Sequence, residues 1–370
     1  MSIEAKRKLR SPYRVAVWGP GKMGRAAIRE IIRLPETELV AVLGYNREND
    51  GADVSKLIGG PPTGVKVTTS MDKMMEAKPE VVIHTARDFG AYQADDEIIR
   101  LLESGINVIS VQAYQYLKLR GLEVQTKFED ACKRGGSTFH GSGIDPGFLY
   151  ERLAAVATGI TNDVRYIKLQ EFLRMEYHAP ESLVAVGFST TLAEMKENSF
   201  VAVFAGHYLK MAMHFLADKL GMPIDRIVQT VKPTLAPKTI TTPGGLTAKE
   251  GTVAYLVHTW TGYVKEKPFF IIELHWYLDD TVKPSQALHP YYYAVEIEGI
   301  PSVRVGLEVH GSFMQNKTIT ERSPTQYLGP THYSACVVNM IQAIPATVDG
   351  PPGVLEVHMP QFHWKPDMRL

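Results

Sequence analysis

Val15-Ala16-Val17-Trp18-Gly19-Pro20-Gly21-Lys22-Met23-Gly24 is the stretch whose reading decides the fold of this chain. A continuous apolar run stops at Gly19, the first of three glycines in the spacing G-x-G-x-x-G, and a helical pattern starts near Met23. Each glycine has a separate job. Gly19 allows the tight turn, Gly21 removes the Cβ that would block a pyrophosphate, and Gly24 lets the helix lie close to the strand. The helix start then offers amide donors and a partial positive charge to an anion. Gly19, Pro20, Gly21, Lys22, Met23 and Gly24 are therefore expected to bind the diphosphate of a dinucleotide, the alternative being a glycine-rich turn that holds no ligand.

Outward from that loop, short apolar runs alternate with helical segments. Strands are expected at Arg14–Trp18, Leu39–Leu43, Lys66–Thr68, Glu80–Thr85, Asn107–Val111 and Ser137–His140, and helices at Met23–Leu34, Ala91–Ser104 and Gly121–Arg134. Near-continuous apolar strands separated by helices indicate a parallel sheet covered on both faces. After Pro146 the pattern changes to one long strand (Asp163–Met175), one long helix (Leu192–Leu220) and then a succession of strands from Ile224 to His310. The fold class expected is α/β: a Rossmann doubly wound parallel sheet plus an α+β substrate domain on a largely antiparallel sheet. The division expected is a tail over 1–12, a dinucleotide-binding domain over 13–146, a substrate and dimerisation domain over 147–330, and a C-terminal helix and tail over 331–370 that return to the first domain.

Composition narrows the function. Lysine and arginine total 40 and aspartate and glutamate total 40, so there is no basic footprint for nucleic acid. Cys132 and Cys336 stand far apart, which suits a reducing, cytoplasmic setting and excludes a disulfide framework. The basic start MSIEAKRKLR has no apolar run behind it, and the apolar stretch Phe200 to Leu216 is interrupted by His207, Lys210 and His214. Neither a signal peptide nor a membrane span is expected. The histidines show no H-E-x-x-H or other metal spacing, so no metal is expected.

The second strand ends in Gly44-Tyr45-Asn46-Arg47, where an NAD site usually carries an acidic residue for the ribose hydroxyls. Arg47, with its planar fork, and Asn46 suit a 2′-phosphate instead. NADP(H) is favoured, while NAD(H) remains open if Glu48 or Asp50 takes the ribose. Thr85 and Ala86, after the fourth strand, and Gln112, after the fifth, are expected along the cofactor.

The loop above, the segment Gly141-Ser142-Gly143-Ile144-Asp145-Pro146-Gly147-Phe148, and Asn339-Met340-Ile341-Gln342-Ala343-Ile344-Pro345 with Pro351-Pro352-Gly353 together resemble the dihydrodipicolinate-reductase-like oxidoreductases. Within that group the resemblance is nearest to 2,4-diaminopentanoate dehydrogenase and the native amine dehydrogenases, and it spans about residues 13 to 359. It implies hydride transfer to or from a C=N or C=O carbon of a small carbonyl or amine substrate, as in reductive amination, and homodimers formed through the substrate-domain sheet. One departure matters. Amine-forming members carry a glutamate shortly after the fifth strand, whereas this chain reads Ser110-Val111-Gln112-Ala113-Tyr114-Gln115-Tyr116.

Candidates for the proton-handling group follow from that gap. Tyr114 takes about the place of the missing glutamate, against an aromatic packing role. His140 and Asp145 bracket Gly141-Ser142-Gly143. The alternatives are a core histidine and an N-cap for a helix opened by Pro146. Glu171 stands between Leu169 and Leu173 on one face of its strand, unusual for a carboxylate unless it is paired or functional. His178 and Arg87 are further possibilities. Trp260, Trp276, Tyr277 and Tyr291-Tyr292-Tyr293 read as sheet packing and dimer surface, part of which can line an apolar pocket. Two other functions stay open: a plain carbonyl or alcohol oxidoreductase using Tyr114 or His140 as acid, and a dinucleotide sensor without turnover.

Overall fold

The computed structural model describes residues 12–88, 91–195, 200–329 and 331–360. All but the last residue of the expected tail 1–12, and residues 361–370, lie outside them. The chain forms two compact units, one made of the residues up to Ile144 and from Gly311 on, the other of Asp145–His310. Residues 311–330 therefore group with the first unit rather than with the second, as the sequence had suggested.

In the first unit, β1 (Tyr13–Trp18), α1 (Lys22–Arg33), β2 (Thr37–Leu43), β3 (Val67–Thr68), β4 (Val81–His84), α2 (Asp95–Glu103), β5 (Asn107–Ser110), α3 (Leu122–Gly135) and β6 (Thr138–Gly141) follow in order. The sheet is parallel throughout, with β1 flanked by β2 and β4. Strand order reverses between β1 and β4, the switch point at which doubly wound sheets bind ligands. Alternation along β1 feeds two cores. Val15 and Val17 pack with Ala27, Ile28 and Ile31 of α1, while Ala16 and Trp18 pack with Ile98 and Leu101 of α2 and Phe128 of α3. A seventh strand, Gly353–Leu355, lies parallel to β6. It is only three residues long and follows Pro351-Pro352, so no period betrays it in the sequence. The helix His332–Gln342 packs on α1 within the same unit.

The second unit contains β7 (Asn162–Arg174), α4 (Phe200–Lys219), β8 (Arg226–Leu235), β9 (Val253–Val264), β10 (Lys267–Tyr277), β11 (Tyr291–Ile300) and β12 (Val303–Glu308). They form one sheet in the order β12-β11-β7-β10-β9-β8. Its pairings are antiparallel except for β7 with β10, which run parallel. The exception arises because the β8–β9–β10 meander sets its last strand beside β7, with which it has no hairpin. On β9, Leu256, His258 and Trp260 are buried in alternation, one side of the sheet being covered. Part of that cover is α4: a Cβ on Gly206 would lie 2.8 Å from Trp260 Nε1. Among the described residues no helix is long and apolar enough to cross a membrane.

Candidate functional site

The glycine loop has the shape its sequence implies. Gly19 sits at φ +94°, where an added Cβ would meet the Ala86 amide nitrogen at 2.4 Å. A Cβ on Gly24 would fall 2.3 Å from the Gly19 carbonyl oxygen and 2.8 Å from Thr85 Oγ1. At Gly21 a Cβ would meet nothing within 4 Å. Two glycines are thus required by protein–protein contact, and the third faces space that a ligand can fill. Gly21 also precedes α1 without any side-chain cap, so the first-turn amides, which lack intrahelical acceptors in any helix, remain available to an anion. Thr85 locks the turn by donating its hydroxyl to the Gly19 carbonyl at 2.6 Å. Ala86 packs against the Gly19 backbone. Lys22 is exposed at the helix start and Met23 is half-buried against the core.

Beyond β2, Trp18 Nε1 donates to the Tyr45 hydroxyl at 2.9 Å and pins an otherwise exposed ring beside the loop. Asn46 Oδ1 accepts from the Glu48 amide at 3.0 Å and caps the short turn Arg47–Asn49. Arg47 itself is exposed. Asp50 is engaged, accepting from the Thr69 amide at 2.8 Å, and Glu48 takes a long contact from Asn46 Nδ2 at 3.4 Å.

The polar side chains after β5 and β6 are engaged within the protein. The Tyr114 hydroxyl donates to Asp95 at 2.8 Å, and its ring lies edge-on to Phe139 in the core. Burial and the neighbouring Asp95 push its pKa well above the ordinary phenol value, the wrong direction for a proton donor at neutral pH. His140 is a core histidine: Nδ1 lies 2.6 Å from the Leu355 carbonyl oxygen and Nε2 3.0 Å from His358 Nδ1. In both residues each polar atom already has a partner inside the first unit, which counts against the acid roles expected of them. Gln112 is buried, and its backbone N–H donates to Ser110 Oγ at 3.2 Å. The Gly141-Ser142-Gly143 segment is held from two sides. Gln115 Nε2 donates to the Ser142 carbonyl at 2.8 Å, and Asn339 Nδ2 donates to the Gly143 carbonyl at 2.6 Å.

The second unit contains the least ordinary chemistry. Glu151 and Glu171 are buried, Asp145 is half-buried, and Asp145 feels the charges of both glutamates. Asp145 caps no helix, which corrects the N-cap expectation. The next helical stretch, Leu149–Ala154, begins after Phe148 without a side-chain cap, and Asp145 Oδ1 has no partner. Desolvation first, then repulsion from Glu171 and Glu151, raises its pKa well above the carboxylate range. Glu171 projects from β7, with Leu274 of β10 opposite on one side and Tyr293 of β11 on the other. Trp276 Nε1 donates to Glu171 Oε1 at 2.9 Å. Burial raises the Glu171 pKa to about 7, and the tryptophan bond opposes the rise. Glu151 is pushed up to about 7 by burial too. The amides of Gly147, Tyr150 and Glu151 partly counter this, although neither carboxylate oxygen has a partner in hydrogen-bonding geometry. On the same sheet face His258 stands 6.1 Å from Trp260 and 6.0 Å from Trp276 between ring centroids, and burial pushes its pKa down to about 4. His178 is turned to its own backbone, 3.2 Å from the Met175 carbonyl oxygen.

Sequence reasoning missed Glu151 and His258. His258 was within reach, two residues from Trp260 on an alternating strand. Glu151 lies in the apolar run Phe148-Leu149-Tyr150-Glu151-Arg152-Leu153-Ala154, where one carboxylate beside an arginine reads as a surface pair.

Residues 13–110 match the family model described as dihydrodipicolinate reductase, N-terminus. An amine dehydrogenase of Streptomyces virginiae is 28% identical over 307 residues, covering 79% of this chain and 84% of that protein. A 2,4-diaminopentanoate dehydrogenase of Acetoanaerobium sticklandii is 23% identical over 297 residues, covering 79% and 82%. Among solved structures, an amine dehydrogenase from Mycobacterium smegmatis superposes with a TM-score of 0.69 at 18% identity, over 96% of this chain and 98% of that one.

Proposed function

We propose that this chain, an NAD(P)-dependent oxidoreductase of the dihydrodipicolinate-reductase-like kind, interconverts a small, fairly apolar carbonyl compound and its amine. The observation that carries the reading is Glu171, a buried carboxylate with a pKa near 7 held by one tryptophan N–H. A carboxyl poised near neutrality gives up or takes a proton with little driving force either way, which general acid–base catalysis requires. Glu171 thus takes over the work of the glutamate absent after β5. It accepts a hydrogen bond from ammonia or the substrate amine and passes the proton that the nitrogen must lose or gain. Burial and the neighbouring glutamates push the Asp145 pKa up, which favours the protonated form that can donate a hydrogen bond where an ionised carboxylate could not. Amine-bearing substrates fit this carboxylate group better than neutral alcohols do, because a cation offsets the cost of burying negative charge.

The cofactor supplies the hydride. The open space at Gly21 and the uncapped start of α1 fit its diphosphate, Arg47 and Asn46 are assigned to a 2′-phosphate, and Tyr45 to the face of the adenine. NADP(H) is preferred in this reading because Asp50, the acidic residue that would accept from an NAD ribose, is engaged with Thr69. The plain carbonyl reductase is disfavoured, since its two acids, Tyr114 and His140, are hydrogen-bonded elsewhere. Assembly as a homodimer belongs to the same proposal, and light scattering checks it.

The test is oxidation of NADPH with cyclic ketones and aldehydes, with and without ammonium. Turnover that depends on ammonium and falls at least a hundredfold in Glu171→Gln, but not in Tyr114→Phe, supports the proposal. Equal rates without ammonium would establish simple reduction. Tight NADPH binding with no turnover on any carbonyl or amine would leave a sensor.

A further inference from the structure

The expectation of no metal rests on spacing along the chain, and folding changes which residues are neighbours. β11 and β12 pair antiparallel with Tyr292 opposite Glu308. That register carries the residues just before β11 alongside those at the end of β12. His289 therefore meets Glu308 and His310, which lie two apart in sequence. The two imidazole rings stand 4.7 Å apart between centroids, and His310 Nε2 is 2.9 Å from Glu308 Oε2. One nitrogen from each histidine and one carboxylate oxygen all lie within 4.8 Å of one another, and the three residues are half-buried.

We propose that His289, Glu308 and His310 form a binding site for a divalent first-row transition metal of the zinc type. Two imidazoles and one carboxylate are a donor set for such ions, with a fourth position left to water. Calcium and magnesium are disfavoured because they take oxygen ligands. Metal–ligand bonds of about 2.0–2.2 Å bring tetrahedral donor atoms to roughly 3.4 Å apart. The three side chains therefore close on the ion by about an ångström, a movement within reach of side-chain rotation. His289 Nδ1 lies 3.4 Å from both the amide nitrogen and the carbonyl oxygen of Tyr291, and in the tautomer with a proton on Nδ1 it donates to that oxygen. A metal-bound imidazole commonly gives its second nitrogen to such an oxygen, leaving Nε2 for the ion. Without metal, the hydrogen bond between His310 and Glu308 occupies the same donors.

The site is structural in this reading. None of its residues takes part in the proposed amine chemistry. An ion there would tie the entry of β11 to the exit of β12, at the last residue of the second unit. The proposal stands independently of the reaction assigned above.

The experiment uses the untagged chain, stripped with EDTA. Zn²⁺ is titrated by calorimetry and Co²⁺ by visible absorption, with His289→Ala and His310→Gln alongside. His310→Gln retains an N–H donor toward Glu308 and so protects the loop. The expected result is one ion per chain, the intense visible bands of four-coordinate Co²⁺, and a melting temperature that climbs with free Zn²⁺. Both variants should lose at least tenfold in affinity while keeping metal-free melting and NADPH binding. Absence of saturable binding overturns the proposal. So does unchanged affinity in both variants, which would put the ion on another group such as His140 and His358.

Discussion

Glu151→Gln is expected to make the protein more stable at alkaline pH than at acidic pH, relative to the unchanged chain. Glu151 is buried with both carboxylate oxygens unpartnered, and its pKa moves from 4.5 to about 7. A raised folded-state pKa means that the fold favours the neutral form. The stability contributed by neutral Glu151 is fully present below pH about 4.5, is lost as pH rises through about 7, and then levels off. At about 1.4 kcal/mol per pKa unit the whole loss comes to about 3.5 kcal/mol. Glutamine has the same shape and no charge, so it removes this pH-dependent part. Its buried NH₂ group can itself cost about 1–3 kcal/mol, but that cost is the same at every pH. The quantity to compare is the variant's effect at pH 8 minus its effect at pH 5, which should favour the variant by about 2.5 kcal/mol. For a unit of this size that is roughly 5–10 °C in melting temperature. Differential scanning calorimetry at both pH values measures it. A difference between the proteins that does not change with pH would refute the claim that burial holds Glu151 neutral.

Other consequences are as direct. Gly21→Ala should fold and melt normally yet lose more than tenfold in cofactor affinity, whereas Gly19→Ala should lose several kcal/mol of stability because its Cβ meets the Ala86 backbone; fluorescence titration and thermal melts separate the two. Arg47→Ala should raise the KM for NADPH about tenfold or more and leave that for NADH unchanged, as seen in parallel steady-state assays. Trp276→Phe removes the one hydrogen bond that lowers the Glu171 pKa, so the limb of the pH–rate profile assigned to Glu171 should move to higher pH; a limb that stays in place would separate it from Glu171.

The first unit was largely legible because its signals are local. Gly19, Gly21 and Gly24 state a backbone path within six residues, and the apolar runs of β1, β4 and β5 declare strands buried on both faces. The parallel β7–β10 pair and the strand Gly353–Leu355 were not legible, since pairing partners lie far apart in sequence and the latter is too short to show a period. Tyr114 and His140 show a related limit of local signals. Each has the right residue type at the right end of a strand, but whether its polar atoms are available depends on Asp95, Leu355 and His358.

From the amino-acid sequence alone came the glycine loop, the parallel sheet built around it and the family resemblance, all carried by residues adjacent in the chain. Tertiary structure alone decided that Asp145, Glu151 and Glu171 share one buried region, and that His289 meets Glu308 and His310. The reason is that a carboxyl's pKa and an imidazole's neighbours are set by the medium and charges around them, which residues distant in sequence supply only once the chain has folded.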